Sequence, residues 1–414
     1  MSTSPFVTDP ADYWGGIDDA VAAAGLDSPV LALDLGALEY NIADLRRRAA
    51  GVPIRVASKS VRIRSVIDDV LSREGFAGVL AYDVAEARWL AVESGVTDVL
   101  LGYPSVRTGA LAELLADDTA LARVTLLIDD PAQLDVVDAI AAPDRRPSVR
   151  VAIDLDASLR GLGGRLHLGV RRSPVHDLDQ VETLARALSE RPGFDLVGVM
   201  SYEAQVAGVG DDVPGRALMN TAIRGMQALS MAELRRRRGR AIALVRRYAD
   251  LEFVNAGGTG SLETTARDAS VTDIAVGSGL LGGHLFDTYR RFRPAPALAF
   301  GLDVVRRPSP DHLTCAGGGW IASGPPGVDR LPKPVWPEGL EYLPAEAAGE
   351  VQTPLRGPGT IRLRIGNRVW FRHTKSGEVS ERARRVALIS RDATGTAEVV
   401  DVVPTYRGEG QCFL

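Results

Sequence analysis

The sequence has 414 residues, 45% of them apolar and 24% charged, with a net charge of −5. Those values are those of an ordinary chain with room for one large domain and a smaller one, and they disfavour general nucleic-acid or membrane-surface binding. Two cysteines, Cys315 and Cys412, are too few for a disulfide framework or a thiolate zinc site and fit a reducing compartment. The polar stretch Met1 to Pro10 carries no signal-peptide core, and no run approaches the roughly 18 apolar residues that span a bilayer, so the expected location is cytoplasmic.

Along the chain, residues 1–28 read as an N-terminal extension. From about Pro29, short apolar runs alternate with segments of helical periodicity. The expected strands are Val30–Leu33, Ile54–Ala57, Gly78–Ala81, Asp98–Leu101, Thr125–Ile128, Ser148–Asp154, Leu196–Met200, Glu252–Asn255 and Asp273–Val276. Between them lie Leu35–Ala49, Ile63–Glu74, Val84–Ser94, Val106–Leu115 and Pro131–Ile140, whose apolar residues recur at three- and four-residue spacing. Strands rich in Val, Leu and Ile without strict alternation predict a parallel sheet covered by helices. The number of units fits a (β/α)8 barrel over residues 29–293 better than an open sheet. Around Pro294-Ala295-Pro296 the helical periodicity fades. Alternating runs at Thr360–Ile365, Arg368–Phe371, Val386–Ile389 and Ala397–Val403 predict a small C-terminal β domain over residues 294–414. The basic run Arg235-Arg236-Arg237-Arg238 falls in a helical stretch and reads as a solvated face.

The chemistry begins with a scarcity. Of 48 Lys and Arg residues only Lys59, Lys333 and Lys375 are lysine. Guanidinium serves for solubility and ion pairing but cannot act as an amine nucleophile or form a Schiff base with an aldehyde. Lys59 follows the strand Ile54–Ala57, and in a β/α barrel reactive groups sit at strand C-termini. Lys59 is therefore expected to hold pyridoxal phosphate (PLP). Alternation would place Arg55, Ala57 and Lys59 on one face, with the Arg55 cation favouring a neutral amine.

Two glycine clusters follow late strands. In Asn255-Ala256-Gly257-Gly258-Thr259-Gly260-Ser261 the backbone amides and hydroxyls suit a phosphate, and Gly277-Ser278-Gly279 repeats the pattern one strand later. The expected phosphate-binding residues are Gly257, Gly258, Thr259, Gly260, Gly277 and Ser278. Arg160, in the loop after Ser148–Asp154, is expected to reach the cofactor or a substrate carboxylate. Tyr202, after Leu196–Met200, is expected to flank the ring. The competing reading makes Arg160 a loop ion pair and Tyr202 a packing residue. His167, His176, His284 and His312 have no ligand spacing and read as structural.

This order of features — strand-end lysine, Asp154–Gly161 loop, Gly198–Tyr202, Gly257–Gly260, then a β domain — resembles the fold-type III PLP enzymes related to alanine racemase. It is most similar to the D-threonine aldolase and D-serine dehydratase group. Cys315–Gly319, Gly349–Pro354 and Phe371–Glu378 resemble its "amino acid deaminase/aldolase" relatives. The resemblance implies a homodimer whose active site is shared, with the β domain of one subunit closing the site of the other. It also implies a metal near the substrate hydroxyl in the aldolase group, held by a C-terminal histidine motif. The matching region here, Pro404-Thr405-Tyr406-Arg407, lacks histidine, and His373 and Cys412 remain as the metal candidates, so the expectation leans to no metal. The stretch Asp273–Gly277 lacks the arginine that alanine racemases set against the pyridine nitrogen, which argues against simple alanine racemization.

The expected function is a PLP-dependent lyase acting on a β-hydroxy D-amino acid by retro-aldol cleavage or by dehydration and deamination. Lys59 acts as base, and His373, Tyr406 and Arg407 are the substrate-side candidates. The alternatives are an amino-acid racemase or epimerase, a non-catalytic PLP-binding protein, and a barrel enzyme that forms a Schiff base with a phosphorylated substrate without PLP.

Overall fold

The computed structural model describes residues 4–161, 163, 165–375 and 377–414. Leu162 and Ser376, which fall in the Arg160 loop and the Phe371–Glu378 segment, lie outside the described residues. Two compact units are present. One comprises the chain up to Asp44, Lys59–Ile67 and Ser278–Cys412; the other comprises Leu45–Ser58, Asp68–Gly277 and Phe413–Leu414.

The second unit is a closed parallel barrel. Its eight strands are Ile54–Ala57, Phe76–Ala81, Val99–Leu101, Val124–Ile128, Val149–Asp154, Phe194–Ser201, Phe253–Ala256 and Asp273–Val276, and the last pairs with the first (Ile274 with Ile54) to close it. Most of their residues are buried, and five of the strands are buried throughout, which explains the continuous Val/Leu/Ile runs: both faces are covered. Helices cover the outside, started by short acidic side chains. Asp83 caps Val84–Glu93, and Asp177 forms a reciprocal capping box with Gln180 on Leu178–Glu190. Leu80, Leu100, Leu127, Ala152, Val197, Met200 and Phe253 fill the barrel interior.

The first unit is built on a nine-stranded sheet. Val30–Asp34 pairs antiparallel with Leu298–Ser309 and parallel with Arg385–Arg391. Val30–Leu33, expected as a barrel strand, therefore belongs to this sheet; the barrel opens with Ile54–Ala57, and Lys59 follows its first strand. Arg368–Arg372, Arg385–Arg391 and Ala397–Pro404 form as expected, but Thr360–Ile365 does not form a strand, and Pro358–Arg362 is a 3-10 turn. The core of this unit gathers Trp14, Ile17 and Val21 of the helix Pro10–Ala23 with Ala32, Ala299, Trp370 and Ile389.

The arginine run is not a solvated face. It lies in the helix Ala217–Val245, and of its four members only Arg236 is exposed. Arg238 is fully buried, 2.7 Å from Asp268 and 3.5 Å from Glu203. Arg237 donates to the carbonyls of Asp156 (2.8 Å) and Ser158 (3.1 Å), and Arg235 to that of Thr264. Three guanidinium groups thus fasten loops at the strand C-termini.

Candidate active site

Lys59 is half-buried in the 3-10 turn Ser58–Ser60, directly past Ala57. The turn ends the alternation, so Lys59 does not continue the Arg55–Ala57 face. Arg55 has a different task from the one expected. It is buried and paired with Asp98 (2.8 Å) and Asp273 (3.0 Å), and these partners raise its pKa despite burial. A cation neutralised by two carboxylates is a structural tie, not a charge aimed at an amine.

The Lys59 turn is clasped within its own unit. Arg62 adopts a left-handed conformation (φ 55°), which costs a non-glycine residue energy and persists only where neighbours enforce it. Its Nε donates to the Lys59 carbonyl at 2.9 Å, and its Nη1 meets Glu381 at 2.9 Å. The Arg62 carbonyl accepts from the backbone N–H of Tyr406 (2.9 Å), Ser380 Oγ donates to the Val61 carbonyl (2.9 Å), and Arg64 pairs with Glu409. Gly377 packs so closely on this turn that a Cβ there would sit 2.6 Å from the Lys59 carbonyl oxygen.

In the barrel unit, the glycine loop after Phe253–Ala256 is organised by Glu203, a residue the sequence reading passed over. Its buried carboxylate accepts from Gly257 N–H (3.1 Å), Ser261 Oγ (3.3 Å) and Thr265 Oγ1, and it faces Arg238. The only sequence signal was its place beside Tyr202. Gly257 has φ 73°, and a Cβ there would lie 2.8 Å from Ile274 Cγ2. A Cβ at Gly258 would lie 3.2 Å from Tyr202 Cε2. Thr259 is buried, and its carbonyl accepts from Arg48; Gly260 follows in the same turn. Gly277 is buried at the end of Asp273–Val276, and Ser278 opens the one-turn helix Ser278–Leu281.

The Tyr202 ring therefore lies against the glycine loop. Burial, and next Tyr103, push its phenol up to about 12, so it stays protonated at any physiological pH. Arg160 is exposed and pairs with buried Asp156 at 2.6 Å. The loop ion pair expected as the competing reading is thus present.

Of the substrate-side and metal candidates, His373 is buried with Nδ1 3.1 Å from the Leu298 carbonyl, and Nε2 has no hydrogen-bond partner among the described residues. Burial is the main cause that lowers its pKa to about 4. Tyr406 is buried, and Arg407 is exposed at 3.7 Å from Glu381. Cys412 is exposed. Among the described residues no group of three or more His, Cys, Asp or Glu side chains is placed to hold a metal ion. Neither His373 nor Cys412 belongs to such a group among the described residues.

The family model described as "Alanine racemase, N-terminal domain" matches residues 33–282. The chain belongs to the alanine racemase N-terminal domain family. This is a family of fold-type III PLP enzymes, and the barrel with its β-rich companion is their fold. The chain is similar to the crystal structure of D-threonine aldolase from Filomicrobium marinum, at 21% identity and a TM-score of 0.74 over 93% of this chain and 96% of that one. It is similar to D-threo-3-hydroxyaspartate dehydratase from Delftia sp. HT23, at 17% identity and 0.70 over 92% and 97%. It is also similar to alanine racemase of Clostridium difficile 630, at 13% identity and 0.59 over 92% and 99%. No curated protein matches the chain. No helix among the described residues is long and apolar enough to cross a membrane.

The residues present fit PLP. A lysine stands in a braced turn past a barrel strand, and the glycine loop forms a cradle that a Cβ would fill against the Tyr202 ring.

Proposed function

We propose that this protein is a PLP-dependent lyase acting on β-hydroxy D-amino acids, with Lys59 as the residue that carries the cofactor. The observation that carries the reading is the Lys59 turn, fixed by the strained Arg62 and its bonds to the Lys59 carbonyl and Glu381. When bound, PLP supplies an aldehyde for the Lys59 amine and an electron sink for a bond broken at the amino-acid Cα. The Lys59 amine would take the proton from the substrate Cα. The loops Gly257–Gly260 and Gly277–Ser278 offer backbone amides and hydroxyls to the phosphate. Tyr202 presents a neutral ring face and phenol to the cofactor ring. Arg160, exposed and tethered to Asp156, swings or holds a guanidinium for the substrate carboxylate. Arg407 is the substrate-side group of the β-rich unit, since Tyr406 and His373 are buried. The working form is a cytoplasmic homodimer with a shared site.

The similarity to D-threonine aldolase and to a hydroxyaspartate dehydratase supports this reading at the level of fold, and the absence of arginine from Asp273–Gly277 favours lyase over racemase. The test is to add PLP to the purified protein, reduce with borohydride and map the labelled peptide, then offer D-threonine and D-serine with and without divalent metal. A visible chromophore bleached by borohydride, a label on Lys59, and aldehyde or 2-oxo acid as product are expected. A label on Lys333 or Lys375, or none, overturns the assignment; interconversion of D- and L-amino acids without cleavage makes it a racemase.

A further inference from the structure

The face that lines the barrel interior continues upward to its mouth. Leu127 and Ala152 belong to the interior cluster, so alternation puts Asp129 and Asp154 one layer above them, at the ends of neighbouring strands held in register by Ile128 and Ile153. Met200 of the next strand, also in the cluster, pairs with Asp154, and alternation puts Tyr202 on the same face two residues further along. This is the face on which barrel enzymes place their reacting groups. Asp129 is occupied, accepting from Gln133 Nε2 at 2.6 Å. Asp156 is occupied too, by Ser158 and Arg160. The Asp154 side chain is different: it is half-buried and has no hydrogen bond and no ion pair among the described residues. A half-buried carboxylate without a protein partner, on the interior face at a strand C-terminus, is placed to meet a substrate.

We propose that Asp154 is a catalytic residue, the general acid that protonates the departing β-hydroxyl in a dehydration of β-hydroxy D-amino acids. The proposal rests on the lyase reading above and commits it to elimination. In the step, the Cα proton passes to the Lys59 amine, the Cβ–O bond breaks with its electron pair on oxygen, and the Asp154 proton converts that oxygen to water. The unsaturated amine that leaves tautomerises and is hydrolysed to a 2-oxo acid and ammonia. The extra proton on Lys59 is the equivalent that restores the Asp154 carboxyl, so the cycle balances without a further reagent.

The electrostatics agree with the task. Burial, then the charges of Asp129 and Asp156, raise the Asp154 pKa to about 7, against the opposing pull of Arg172. Tyr202, the group at the end of the other flanking strand, is neutral at this pH. An ordinary carboxyl is too strong an acid to hold a proton at neutral pH; this one keeps it in a useful fraction of molecules.

The experiment uses the PLP-loaded protein with D-serine and D-threonine as probes. It measures 2-oxo acid, aldehyde, exchange of the Cα proton into D2O, and the borohydride-fixed label on Lys59. For the wild type, kcat falls as pH rises through about 7. Asp154→Asn is expected to lower kcat by about 10²–10³-fold and to abolish that limb, while the Lys59 label and Cα exchange persist. Asp129→Asn removes a neighbouring negative charge and is expected to move the limb to lower pH, a shift that a purely structural role of Asp154 does not produce. Aldehyde and glycine as the products, an unmoved limb in both variants, or kcat within a few-fold of wild type in Asp154→Asn each overturn the proposal and leave Lys59 standing. A labelled Lys59 with no 2-oxo acid from either probe does the same. Absence of a label on wild-type Lys59 overturns both readings.

Discussion

Gly258 and Tyr202 are in such close apposition that the smallest side chain at position 258 would begin 3.2 Å from the tyrosine ring and 3.1 Å from the Ala207 methyl. Both distances are tighter than ordinary van der Waals contact, so a branched side chain there has to displace the ring or the loop. Gly258→Val is expected to weaken PLP retention by about 10-fold or more, the equivalent of an overpacking cost of ~1–3 kcal/mol. Titration of the apoprotein with PLP, followed by absorbance, measures this. Equal affinity in Gly258→Val and wild type would show that this apposition does not shape the cofactor site.

Lys59 is expected to be irreplaceable even by arginine. Lys59→Arg keeps the positive charge and much of the length but has no nucleophilic amine at working pH. Both Lys59→Arg and Lys59→Ala should lose the borohydride-fixed label, and the catalysed rate should fall by about 10³-fold or more. Lys333→Arg should leave label and rate unchanged. A label that survives Lys59→Ala would place the amine elsewhere.

Glu203 gathers Gly257 N–H, Ser261, Thr265 and Arg238 around one buried carboxylate. Glu203→Gln removes the charge that Arg238 faces and turns one acceptor into a donor. It should destabilise the protein by about 2–4 kcal/mol, read as a lower urea midpoint, and should weaken PLP binding because the glycine loop loses its anchor. In a double-mutant cycle the cost of Glu203→Gln should shrink in an Arg238→Met background. Full additivity would mean that the two groups do not communicate.

His284 and His373 set an acid limit on stability. Burial is the leading cause that lowers both pKa values to about 4, and Arg372 acts in the same direction on each. The unfolded chain takes up these protons near pH 6.5, whereas the folded protein resists until about 4. Their contribution is complete above pH 6.5 and lost as pH falls toward 4, by an amount on the order of 3 kcal/mol for each histidine. Chemical denaturation at pH 7.5 and pH 5 should show this loss, and a smaller one in His284→Gln. An identical pH dependence in that variant would remove His284 from the account.

Eight of the nine strands expected from Pro29 to Asp287 line the barrel, because a parallel strand buried on both faces has an apolar run that stands out from its helices. The ninth, Val30–Asp34, reads the same way but sits in the other sheet: burial on both faces marks a central strand of any sheet and does not say which one. Gly257, Gly258 and Tyr202 were legible as a group since each follows a strand end. The roles of Arg238, Glu203 and Arg55 were not. Their partners lie 30 to 218 residues away, and a charged residue's spacing carries no mark of whether its counter-ion is water or a distant carboxylate. The Lys59 face was misread for a local reason: the strand ends at Ala57, and a 3-10 turn resets the direction of the next side chains.

The pairing of Leu31 with Val386 has a consequence during synthesis. The early strand Val30–Asp34 emerges from the ribosome long before its parallel neighbour Arg385–Arg391 exists. At ordinary elongation rates the wait is about 20–70 s. Until Leu298–Ser309 is made, the chain through Val276 holds every barrel strand while the apolar strand Val30–Asp34 has neither of the neighbours it pairs with here. Nascent chains of this protein stalled before Leu298 should therefore be conspicuous clients for chaperones that bind extended apolar segments, and release of the final hundred residues should end that dependence.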